Sequence, residues 1–123
     1  MKLPRLIAIL VGLFFVAFGL WSFFKPLSFY DQIAAFGDYN RHFLHDIGAF
    51  QIGIGATLLI ASFWNDALGA ALAGAGAGST FHAAAHWWDR NLGGRSSDPY
   101  VLTALAVLLI IAALARFRPA TQR

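Results

Sequence analysis

A chain of 123 residues is one domain by length, and the absence of cysteine excludes a disulfide framework, a thiolate metal site and a thiol nucleophile. Hydrophobic residues make up 59% and charged residues 12%, too little polar character to cover the core of a water-soluble domain of this size. The formal charge of +3 does not point to nucleic acid, because the basic residues sit at the edges of apolar runs and form no basic face.

Taken in order, the chain opens with a short basic lead containing Lys2 and Arg5, with Pro4 where a first helical turn tolerates it. Residues 6–24 then run without a charge, which is 19 residues. As helix this is about 28 Å, enough to cross a hydrocarbon core. A signal peptide is the rival reading, but its apolar part is normally shorter and a small-residue cleavage site should follow. Here the run ends in Phe23, Phe24, Lys25 and Pro26, so a retained first span is expected.

Residues 25–40 alternate aromatic and polar residues, fitting a loop or a short helix lying in the membrane interface. Asp38 or Asn40 is placed to cap the next helix. The second span is expected at about residues 42–64, with glycines Gly48, Gly53 and Gly55 and one uncharged polar residue, Gln51, suited to an interhelical hydrogen bond. Asn65 and Asp66 mark a break short enough to force an antiparallel hairpin.

The third span, about residues 67–88, is rich in glycine and alanine. Ala70, Gly74, Gly78, His82, His86 and Arg90 follow one i, i+4 ridge, so Gly74 and Gly78, with Gly53 on the preceding span, are expected to seat neighbouring helices. A phosphate-binding glycine loop is excluded, since no Lys-Ser/Thr follows the glycines and no strand precedes them. Ser79 lies near His82, but no strained G-x-S-x-G elbow surrounds it. After a solvated loop, Asp98 and Pro99 read as a capped helix start. The fourth span covers about residues 99–115, and Arg116, Arg118 and Arg123 close the chain.

The expected fold is therefore all-α: an integral membrane four-helix bundle with antiparallel up-down spans and both termini on the same side. Five basic residues on the terminal side against four on the other place the termini in the cytoplasm, in a multi-pass protein of the plasma membrane.

All four histidines fall on the side away from the termini. His42, His45 and Asp46 open the second span; His82, His86 and Asp89 close the third. Spacings of three and four put each group on one helix face, and the expected hairpin brings both to the same depth. Imidazoles at i, i+4 can chelate zinc, copper or iron, with Asp46 and Asp89 as ligands or orienting partners. A haem with axial histidines is a second reading, and a proton or quinone site a third. A structural polar cluster is the plain alternative, with Asp46 pairing with Arg41 or Arg90.

The run YNRHFLHDIGAFQIGIGA (residues 39–56) and the later HAAAHWWDRNLGG (residues 82–94) resemble small four-span membrane proteins of actinobacteria, similar in layout to the wider DoxX-like group. The histidine boxes are loosely similar to those of membrane-bound di-iron desaturases, which carry more histidines than this chain has. The DoxX-like resemblance implies an accessory role beside membrane redox complexes and supplies no catalytic residue. Two functions are thus expected from the sequence. One is a His/Asp site binding a transition metal or haem; the other is a non-enzymatic accessory or interaction subunit of a larger membrane complex, or a homo-oligomer.

Overall fold

The computed structural model describes residues 2–117, and every regular element among them is helical. The order is α1 (Lys2–Phe24), α2 (Pro26–Gln32), α3 (Arg41–Ala61), α4 (Asn65–Trp88) and α5 (Asp98–Phe117). Of the two forms expected for residues 25–40, a loop or a short helix, α2 is the short helix. Asn40 caps α3, its side chain accepting a bond from the Phe43 N–H at 3.0 Å. Basic residues Arg118 and Arg123 lie outside the described residues.

Helix α1 runs antiparallel to α3, and the two backbones touch. A Cβ added at Gly55 would lie 2.6 Å from the Gly12 carbonyl oxygen, and one at Gly48 would lie 2.7 Å from that of Gly19. Real side-chain carbons do not approach a carbonyl so closely, so only glycine fits. In return the two backbones gain dense van der Waals contact, each atom pair adding a little and the whole seam a good deal. At the far end of this seam Ser22, fully buried, donates a hydrogen bond of 2.7 Å to the Leu44 carbonyl.

Helix α5 runs antiparallel to α4, with Ile110 against Gly76, Phe117 against Gly69 and Thr103 bonded to Trp87. The two pairs meet around one apolar core made by Ile7, Val11 and Phe15 of α1, Leu58 of α3, Leu68 and Leu72 of α4, and Leu109 of α5. Those residues all lie toward the α3–α4 turn. At the same end Arg5 donates to the Asn65 side chain at 2.9 Å and Arg116 to the Asn65 carbonyl at 2.6 Å. The start of α1, the start of α4 and the end of α5 are thereby gathered together.

Several expectations are corrected here. Three helices, α1, α3 and α5, are long and apolar enough to cross a membrane; α4 has the length but not the apolar content. The break after α3 falls at residues 62–64, because Ser62 folds its hydroxyl back onto the Leu59 carbonyl, and Asn65 and Asp66 belong to the first turn of α4. Helix α5 does begin at Asp98, as expected, but the Asp98 carboxylate accepts from the Arg95 N–H of the preceding loop at 2.8 Å. Gln51 Oε1 is buried and finds no hydrogen-bond partner among the described residues, so the interhelical bond expected of it is not made there. Most plainly, a Cβ on Gly53, Gly74 or Gly78 would meet nothing within 4 Å among the described residues, so these three glycines seat no neighbour there.

Candidate functional site

The histidine-bearing ends of α3 and α4 lie at the opposite end of the molecule from the Arg5–Asn65–Arg116 cluster. On α4, the helical spacing of His82 and His86 stacks their rings with centroids 4.9 Å apart and Nε2 atoms 3.2 Å apart. When both rings are neutral, one Nε2–H donates to the other ring's lone pair. On α3, His42 faces its own Asp46 at 3.6 Å, and both are exposed. His45 lies against the ring of Phe23 on α1, with centroids 5.1 Å apart. Asp89 follows the end of α4 and is exposed, with its backbone N–H bonded to Ala85.

The two groups are not brought together: no hydrogen bond, ion pair or ring contact joins them among the described residues. The reason is the choice of packing partner. Although α3 and α4 are consecutive and joined by a tight turn, α3 is held along its length by the glycines of α1, and α4 by α5. The hairpin argument assumed that chain neighbours stay side by side to the far end. Among the described residues no set of three or more His, Cys, Asp or Glu side chains is placed to hold a metal ion. His82 and His86 supply two donors, one fewer than a catalytic zinc site takes from protein and two fewer than a structural one. The expected metal or haem function of His42, His45, Asp46, His82, His86 and Asp89 is therefore corrected.

What occupies this end instead is a latch between the two connecting segments. Phe36 and Gly93 form an isolated antiparallel bridge, and the Gly94 N–H donates to the Ala35 carbonyl at 3.1 Å. The Phe36 ring lies over Gly94 and edge-on to His86, with centroids 5.2 Å apart. Gly94 has φ of 74°, and any side chain there would collide with the Phe36 ring. A Gly94→Val variant should release the latch at a local cost of roughly 1–2 kcal/mol, the penalty of a left-handed non-glycine residue. Hydrogen exchange would read it as faster exchange at residue 94; unchanged exchange would show that the latch does not depend on this glycine.

Two features escape sequence reasoning centred on the histidines. One is Phe36, which nothing in its neighbourhood distinguishes from other interfacial aromatics. The other is the α1–α3 seam, whose signal was present: glycines seven residues apart in both helices, 12 and 19 in one, 48 and 55 in the other. Comparison of the chain with family models, with curated proteins and with solved structures returns no match. The DoxX-like resemblance therefore rests on the sequence motifs alone.

Proposed function

We propose that the chain is a membrane-embedded interaction subunit whose α4 presents its outward face to a helix of another chain. Support for the membrane setting begins with α1, α3 and α5, each of a length and apolarity suited to crossing. Large apolar side chains such as Leu10, Phe50, Phe81 and Leu114 also stand exposed on the helix surfaces, where lipid would accept them. Helix α4 turns back from α3 through three residues and lies along α5, so it crosses wherever they do.

One observation carries the interaction reading. Gly74 and Gly78 form a G-x-x-x-G pair on α4 where an added Cβ would meet nothing within 4 Å among the described residues, and Ala70 and Ala77 are exposed beside them. In lipid such a face gains contact only when a second backbone settles on it, which is how small-xxx-small helices associate. The chain's own close seam uses the same device at Gly12, Gly19, Gly48 and Gly55, and there the partner helix is present.

The cysteine-free sequence makes the test direct. Ala77→Cys, oxidised in native membranes, should yield a disulfide-linked species: a dimer if the partner is a second copy, a heavier adduct if it is another chain bearing a nearby cysteine. Chemical crosslinking covers a partner without one. Adding Gly74→Leu and Gly78→Leu should abolish the species while leaving the helical content intact. If no adduct forms by either route, or if it survives both leucines, the interaction reading is wrong.

A further inference from the structure

An open groove of about 610 Å³ lies where α1 hands over to α2 and α3 begins. Lys25 and Arg41 line it from two different segments, with Asp31 the single carboxylate on its wall. Neither cation has a carboxylate within ion-pair distance among the described residues, where the one such contact is His42–Asp46. The groove thus holds two uncompensated cations against one anion.

We propose that this groove binds the headgroup of an anionic glycerophospholipid, its phosphate held between Lys25 and Arg41. The inference rests on the membrane-embedded reading above. Lys25 follows the last residue of one candidate span and Arg41 is the first residue of another, so the groove sits where hydrocarbon gives way to headgroups. A guanidinium offers paired N–H donors matched to phosphate oxygens, and the lysine ammonium adds a point charge. Ser28 is the third donor. Its oxygen already accepts bonds from Trp21 Nε1 at 3.2 Å and Gln32 Nε2 at 3.3 Å, which leaves its own O–H free to point elsewhere.

Two features select a lipid over a soluble phosphate. Leu27 on the groove wall and the neighbouring Phe24 are 54% and 70% exposed, an apolar lip along which acyl chains can lie. In addition, α2 turns Phe29 inward onto Phe18 and Trp21, with centroids 6.2 and 5.5 Å apart, so it is anchored lengthwise beside α1 with Leu27 outward. A zwitterionic choline lipid would bring a third positive charge to the groove. An anionic glycerol headgroup brings none.

The full chain, purified in nonionic detergent and delipidated, is titrated with phosphatidylglycerol or phosphatidylcholine, and bound lipids are counted by native mass spectrometry. Phosphatidylglycerol should be preferred by about fivefold to thirtyfold, the scale expected of one or two interfacial cations. Lys25→Gln with Arg41→Gln should bring the preference to about onefold, while Asp31→Asn should raise it. Arg90→Gln with Arg95→Gln, which removes two cations from another part of the same end, should leave it unchanged. Equal binding of the two lipids by the parent, or a preference that survives loss of Lys25 and Arg41, overturns the proposal. So does full displacement by soluble glycerol 3-phosphate, which would make the ligand a free phosphate. A chain that fails to enter lipid vesicles overturns the membrane reading itself, an outcome separate from loss of selectivity.

Discussion

A single methyl group placed at position 48 should unseat α1 from α3, whereas the same group five residues later, at position 53, should be tolerated. At Gly48 the new carbon would lie 2.7 Å from the Gly19 carbonyl and 2.8 Å from the Phe23 backbone nitrogen, so relief requires the helices to separate. Overpacking of this kind costs about 1–3 kcal/mol, and Gly48→Ala combined with Gly55→Ala should reach about 3 kcal/mol or more. At Gly53 nothing lies within 4 Å, and the gain in helix propensity favours alanine by roughly 0.5–1 kcal/mol. Unfolding by sodium dodecyl sulfate titrated into mixed micelles would compare the two. Equal stability of Gly48→Ala and Gly53→Ala would mean that the seam is not formed as described.

The second large effect is expected at Leu72, fully buried in the core shared by the four long helices. In a soluble protein Leu→Ala at such a site costs roughly 2–5 kcal/mol, part for transfer of the side chain to water and part for the cavity. In lipid the transfer part largely vanishes, because the surroundings of the unpacked helix are as apolar as leucine itself. Leu72→Ala should therefore cost only about 1–3 kcal/mol, mostly lost contact. Unfolding in the same micelles measures it. No loss of stability would show that the two helix pairs do not meet around this residue, and a loss at the soluble extreme would count against lipid as the solvent.

These expectations also show which parts of the molecule were legible in the sequence. The apolar runs at residues 6–24 and 99–115 became α1 and α5, because a long charge-free run bounded by proline and basic residues has few other outcomes. The α3 cap was legible to within two candidates, Asp38 and Asn40, for the local reason that a polar side chain precedes a helix, whereas residues 25–40 read equally as a loop or as the short helix α2. Helix pairing was not. The glycines of α4 looked like the packing face because they are many, yet Gly74 and Gly78 face outward while the sparser glycines of α1 and α3 touch. Composition counts small residues, whereas contact depends on which face is turned inward. The histidines misled for a related reason: proximity along a hairpin holds near its turn, and His45 and His82 lie at the far end, where α1 and α5 have claimed the two helices.

The α1–α3 seam has a mechanical consequence. Two points of contact seven residues apart, Gly12 on Gly55 and Gly19 on Gly48, act as two dowels act on a joint. One dowel would let the helices pivot; two forbid both pivoting and sliding. A slip of one residue moves a helix by about 1.5 Å and turns it by about 100°, lifting both glycines off both carbonyls at once. Register is therefore held in a single setting, and α1 with α3 forms a stiff beam. The other pair, α4 with α5, can move against this beam only by parting the shared core at one end and the Phe36–Gly93 latch at the other.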